Sequence, residues 1–350
     1  MADGSAIVGD AYAGSVGEDF LPPRWLRNPH LQSIFPTLPW PRPSARRNCR
    51  EVMAASRKKL IECGDGVRLL GFHAVPHDRR GSKVPRMAIL LHGWHGSANS
   101  PDVVSLAQHL FLRGFEVIRL NLRDHGETEH LNRDLFHSCR LAEVVGAVRS
   151  LQHKHPRHEL TFVGFSLGGN FALRLGAHAR SENLDLARIV AVCPVIDPAH
   201  ALSRLDSGSL LYRHYFIGKW RRSLLRKSAT WPRRYDFSAM LQMSSLTRMT
   251  DHFVRRYTDY PSLHHYLKSY TIGGETLRGL DVDTWLIAAT DDPILPVEDV
   301  GRLPSLRQLR ITRTRYGGHC GYCEGRAGPS WLELSIGRML SGQRSVTSAS

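Results

Sequence analysis

Residues 160–178 read LTFVGFSLGGNFALRLGAH, and the two halves of this stretch favour different backbones. Leu160 to Phe165 is apolar and partly β-branched, the composition of a buried strand. From Leu167 onward the chain carries Leu, Ala and Arg174, which favour helix. At the join stands one polar residue, Ser166, inside the pattern Gly164-Phe165-Ser166-Leu167-Gly168. A nucleophile at a strand-to-helix turn occupies strained backbone, so its neighbours two places away must be small. The turn exposes the hydroxyl above the sheet and aims the Leu167 amide, at the start of a helix, toward developing negative charge. Gly169 lets that helix pack closely. A bare G-x-S-x-G is common by chance; the strand before it and the helix after it give this one its meaning.

Working outward, the same strand-helix alternation recurs. PRMAILLHG reads as a buried strand, SPDVVSLAQHLFLRG as a helix closed by Gly114, FEVIRLNLRDHG as a strand and LAEVVGAVRSLQHKH as an amphipathic helix. After the opening stretch come the strand ARIVAVCPV, and later DVDTWLIAATDD, LRQLRITRTRY and the helix SWLELSIGRML. Alternation of this kind predicts an α/β fold, a mostly parallel sheet covered on both faces. Two strands joined at Asp65-Gly66, a hairpin signal, precede it. The alternation is predicted to form a core from 46–197 and 276–340. Residues 198–275 lack strand signals and are read as a helical cap inserted over one end of the sheet. Residues 1–45 are a Pro-rich arm without regular structure, and 341–350 a disordered tail.

A serine needs a base, and the base an orienting acid. In an elbow-bearing α/β fold the order along the chain is Ser, acid, His. Asp291 and Asp292 follow the strand LIAAT, and His319 lies in the glycine-bounded loop RYGGHCGY. The two aspartates compete for the role of acid; the four-residue spacing to Pro296 favours Asp292, with Asp291 left to brace the loop. His125 and His137 are the other histidine candidates, but both precede the serine. In LLHGWHGSANSP, His92-Gly93 ends a strand, so the amide of Trp94 is the expected second oxyanion donor beside Leu167, and its indole a candidate wall for an acyl pocket.

The net charge is +15, and the segment from Pro198 to Tyr270 holds 13 Lys and Arg against 4 Asp and Glu, interleaved with aromatics. No helix-turn-helix, finger or RRM signature accompanies it, so nucleic acid is not expected; an anionic lipid surface, an anionic substrate or a solvated cover are the readings. Six scattered cysteines fit a reducing compartment better than a disulfide framework. Cys320 and Cys323 form a C-x-x-C, but no second pair or βαβ setting accompanies it, so neither metal nor redox chemistry is expected there. No run is long enough to span a bilayer, and the stretch before Arg24 has acidic residues but no basic one, so a cytoplasmic protein is expected.

The sequence resembles an α/β-hydrolase, more narrowly the YheT-like branch (AB hydrolase superfamily, type 4), through NPHLQSIFPTL, LLHGWHGSANSP, VIRLNLRDHGET, LFHSCRLAEV, GFSLGGNFAL, ATDDPILP and GGHCGY. The resemblance runs from about residue 20 to 335 and implies a triad of Ser166, Asp292 and His319. It also implies hydrolysis of carboxylic esters: short-chain esters and, in eukaryotic relatives, glycerolipids. Certain yeast relatives transfer acyl groups to an alcohol. The strongly basic cap departs from the pattern. The resulting expectation is a cofactor-free serine hydrolase acting on short- to medium-chain or acylglycerol-like esters, possible contact with an anionic membrane being made through the cap. An acyltransferase or thioesterase using the same triad is the alternative, and a non-catalytic binding protein the remoter one.

Overall fold

The computed structural model describes residues 20–37, 49–77, 84–325 and 329–341. The rest of the arm read from the sequence (1–19 and 38–45) and residues 342–350 of the tail lie outside them. The chain forms strands β1 (Ser56–Glu62), β2 (Arg68–Ala74), β3 (Arg86–Leu91), β4 (Glu116–Leu120), β5 (Glu159–Phe165), β6 (Arg188–Val192), β7 (Thr284–Ala289) and β8 (Leu309–Thr314). They make one sheet in the order β1-β2-β4-β3-β5-β6-β7-β8. β1 and β2 are the expected hairpin, turning at Asp65 and Gly66 with φ of 50° and 72°. β2 joins β4 antiparallel, and β4, β3 and β5 to β8 run parallel. The chain steps from β3 to β4 on one side, then crosses to β5 on the other. Crevices for ligands open at the carboxyl ends of strands where the order reverses in this way.

Alternation of side chains splits the core in two. Met87, Ile89 and Leu91 of β3 face the helices Leu141–Lys154 and Leu167–His178, while Ala88 and Leu90 face the helices Pro101–Phe111 and Trp331–Leu340. β3 and β4 are buried on both faces; β3 is accordingly apolar from Met87 to Leu91, while β4 carries the buried charged residues Glu116 and Arg119 among its apolar ones. Between β6 and β7 the chain is helical, the principal helices being Pro198–Ser207, Leu210–Thr230 and Leu246–Tyr257. Leu202, Leu205, Ile217 and Trp220 of these helices join the first core cluster, so the cap shares a hydrophobic core with the sheet. Within the arm, sequence reasoning expected no regular structure. The described part instead holds a helix, Pro29–Ile34, started by the Asn28 side chain accepting from the His30 and Leu31 amides. The helix Arg50–Ala55 was also not foreseen.

One buried ion pair fastens the cap to the core. Lys227 is 1 % exposed, and its Nζ donates to Asp124 Oδ1 at 2.8 Å and to the carbonyls of Asn132 and Asp134 at 2.7 and 3.1 Å. Trp231 Nε1 donates to the Glu129 carbonyl at 3.0 Å. The loop after β4 therefore wraps the end of the long cap helix. Burial pushes the Asp124 carboxyl up to about 6 against the pull of Lys227, and burial lowers the Lys227 ammonium. Removing one member of such a pair strands the other charge, at a cost of about 3–5 kcal/mol. Lys227→Ala is therefore expected to lower stability by that order in urea unfolding followed by tryptophan fluorescence, with part of the loss regained on adding Asp124→Asn. A loss in Lys227→Ala no larger than that of a surface substitution would contradict the anchor.

Candidate active site

β5 ends at Phe165 and the next helix begins at Leu167, leaving Ser166 at φ 53° and ψ −114°. Its N–H donates to the Val192 carbonyl at 2.8 Å, and its carbonyl accepts from the Asn170 amide at 3.1 Å. The glycines around it are required by contact. A Cβ on Gly164 would stand 2.0 Å from the Gly168 oxygen, and one on Gly168 2.5 Å from the Leu91 oxygen. Strand and helix thus pass at backbone distance, and the serine is held in a conformation L-residues avoid. Asn170, fully buried one turn into the helix, donates to the carbonyls of Val195 and Tyr270, tying the elbow to both ends of the cap.

His319 and Asp292 meet as the sequence order suggested. His319 Nδ1 donates to Asp292 Oδ2 at 2.8 Å, and Asp292 Oδ1 accepts from the amides of Ile294 and Leu295 at 2.8 and 2.9 Å. Asp291 turns away, and its Oδ1 accepts from the Gly318 amide at 2.8 Å, bracing the histidine loop. Burial disfavours the His319 imidazolium, but the charge and hydrogen bond of Asp292 together outweigh it and raise the group to about 9. The arm clamps this loop from outside. Ser33 Oγ accepts from the His319 amide at 2.8 Å. Gln32, fully buried, exchanges hydrogen bonds with the backbone of Cys323 at 3.0 and 2.8 Å. Gly318, at φ 54°, has room for no Cβ, since one would lie 2.5 Å from the Pro29 oxygen. Sequence reasoning missed Gln32 and Ser33; NPHLQSIFPTL stood out there only as a resemblance.

The loop after β3 crosses Ser166 closely: a Cβ on Gly93 would lie 3.0 Å from the Ser166 Cβ. Three histidines shape it. His92 Nδ1 donates to the Gly93 carbonyl at 2.7 Å while its Nε2 accepts from the Leu122 amide at 3.2 Å. His125 Nδ1 donates to the Arg123 carbonyl and its Nε2 accepts from the His95 amide at 3.2 Å. Burial lowers His92 to about 3 and His125 to about 4, and drives His95 well below its ordinary value. All three are neutral at physiological pH; the imidazoles of His92 and His125 act as fixed hydrogen-bonding groups, while His95 contributes its backbone amide. His125 is thereby occupied, and His137, lowered to about 3 by burial, is packed edge-on to Tyr260 and Tyr266. Neither has the carboxylate partner that His319 has.

Ser166, Leu167, Trp94 and His319 line one cavity of about 730 Å³ roofed by the cap. Trp94 stacks on Phe216 of the cap, rings 5.5 Å apart and 12° from parallel, and meets Trp220 edge-on at 5.4 Å. An apolar wall thus faces the serine. None of the described helices is long and apolar enough to cross a membrane.

A doubly covered, mostly parallel sheet with a serine elbow at its carboxyl edge is the architecture of the α/β-hydrolases. The family profile described as "alpha/beta hydrolase fold" matches residues 89–325, and the chain belongs to this family. It is similar to the protein named "Putative esterase YheT" of Escherichia coli (strain K12), 26% identical over 334 residues that cover 93% of this chain and 94% of that one. The human "Monoacylglycerol lipase ABHD2" is 25% identical over 201 residues, about half of each chain (52% and 47%). Among solved structures, a Pyrococcus furiosus esterase superposes with a TM-score of 0.51 at 16% identity, covering 82% of this chain and 92% of that one, a likeness of fold.

The strain at Ser166 has a measurable consequence. Glycine adopts positive φ without the Cβ clash that costs other residues about 1–2 kcal/mol. Ser166→Gly is expected to be more stable than Ser166→Ala by about 1 kcal/mol in thermal unfolding. Equal stability would mean that the turn is relaxed.

Proposed function

We propose that the protein hydrolyses carboxylic esters through an acyl-enzyme on Ser166. The observation that carries this reading is the His319–Asp292 hydrogen bond, made in the loop that lines the same cavity as the strained serine. His319 Nε2 takes the proton as Ser166 Oγ attacks the ester carbonyl, while Asp292 holds the imidazole by Nδ1. The amides of Trp94 and Leu167 stabilise the tetrahedral oxyanion, each by about 3 kcal/mol. The proton on His319 passes to the departing alcohol. Water then attacks the acyl group with His319 again as base, and the acid is released. The reading is also in keeping with the activities named for the bacterial and human relatives.

The substrates proposed are short- to medium-chain acyl esters or acylglycerol-like lipids, supported by the aromatic wall of Trp94, Phe216 and Trp220. The cap also carries exposed Leu210, Leu211, Tyr215 and Leu225 on the helix that bears its densest cluster of basic residues, among them Lys219 and Arg222. Apolar side chains beside cations suit an anionic bilayer, and contact with such a surface is part of the proposal. Co-sedimentation with phosphatidylserine vesicles is expected, weakened by salt; equal recovery with neutral vesicles would oppose it.

Initial rates on p-nitrophenyl esters of graded length test the chemistry. Ser166→Ala is expected to abolish turnover with the fold retained; an unchanged rate would exclude the mechanism. The pH profile follows from His319, which must be neutral to act as base. Raised from 6.5 to about 9 by Asp292 over the opposition of burial, it places the rising limb of kcat/KM on the alkaline side of 6.5. The same shift makes the ion pair's stabilising effect full below 6.5 and lost as pH rises through about 9. A plateau already reached at pH 6 would contradict this assignment. Added ethanol distinguishes acyl transfer, which would give an ethyl ester in place of the acid.

A further inference from the structure

At the amino-terminal edge of the parallel strands, opposite the elbow, four chemistry-bearing side chains converge. Glu116 opens β4 and is 3% exposed. Its Oε2 meets Nε2 of His73, from β2, at 3.0 Å, and its Oε1 meets Nε2 of His158, just before β5, at 2.9 Å. His155, after the helix Leu141–Lys154, lies edge-on to both imidazoles, with ring centroids 5.5 Å from His73 and 4.9 Å from His158. One donor atom each of Glu116, His155 and His158 lie within 4.8 Å of one another. The protein leaves the His158 imidazole only partly occupied: its Nδ1 is buried with no hydrogen-bond partner.

We propose that Glu116, His155 and His158 bind a divalent zinc ion, with His73 holding the carboxylate from the other side. Imidazole nitrogens and a carboxylate are zinc's ligands, and metal–ligand lengths of about 2.0–2.2 Å put neighbouring donors of a tetrahedral site about 3.3 Å apart. The observed spacing reaches that geometry through shifts of about an ångström. Water completes the coordination shell, since the two imidazoles remain partly open to solvent. The hydrogen bond from His73 has the form of the outer contacts that orient metal-bound carboxylates. The ion's role is to staple: it joins the β4 edge to the turn between Lys154 and β5, and through His73 to β2. It is remote from the catalytic cavity, whose lining includes none of these four residues.

Among the described residues two other clusters have donors within 4.8 Å, Cys193 with His319 and Cys320, and Asp197 with His200 and Asp299, and the experiment separates them from this one. Tag-free protein, stripped with a chelator, is titrated with Zn²⁺ against a metal-indicator dye, and its thermal midpoint is followed. One equivalent is expected to bind and to raise the midpoint, with ester hydrolysis unchanged. His155→Gln and His158→Gln are expected to lose that equivalent, and His73→Gln to weaken it about 10–100-fold. Cys320→Ser is expected to bind as the parent does. Cobalt substitution gives a readout independent of variant folding: visible bands of a nitrogen- and oxygen-ligated ion without thiolate charge transfer. No saturable binding, binding unaffected in both His155→Gln and His158→Gln, or a thiolate band would each overturn the proposal.

Discussion

The closeness of β5 to the helix that follows it governs this structure. With the Gly168 oxygen 2.0 Å from where a Gly164 side chain would begin, the turn has no slack. That packing forces Ser166 into positive φ, where its hydroxyl stands above the sheet rather than in it. It also fixes where everything else must come: the β3 loop over the serine Cβ, the histidine loop beside it and the cap above. A bulkier residue at 164 or 168 would part strand from helix, and the site would lose the point from which it is built.

Around that fixed point, each flexible piece is held by a distant segment. The histidine loop is gripped by the arm through Gln32 and Ser33, the aspartates hold it from the sheet side, and the β4 loop grips the cap through Asp124 and Lys227. The imidazoles of His92 and His125, kept neutral by burial, set the shape of the β3 loop by their hydrogen bonds. One titrating group, His319, is thus left to set the pH response of the reaction proposed.

What could be read from the sequence was what is local. The elbow motif, the strand-helix alternation and the order of serine, aspartate and histidine depend on residues near one another in the chain or on the known winding of such sheets. The arm's clamp and the cap's anchor could not be read in this way. Gln32 and Cys323 are 291 positions apart, and Lys227 and Asp124 are 103 apart, so neither pairing leaves a periodic or spaced signal. Lys227 looked like one more charge on a basic helix; only burial reveals it as an anchor. Between Asp291 and Asp292 the spacing to Pro296 already favoured Asp292, and the contacts part them, Asp292 turning to His319 and Asp291 to Gly318.

The central claim is that Ser166 carries the acyl group. Rapid acid quench of the enzyme during turnover of a p-nitrophenyl ester, followed by peptide mass spectrometry, tests it directly. The expected result is an acyl mass added to the peptide containing Ser166, absent from Ser166→Ala. Continued turnover with that peptide unmodified, or the acyl group found on Cys320 instead, would contradict it.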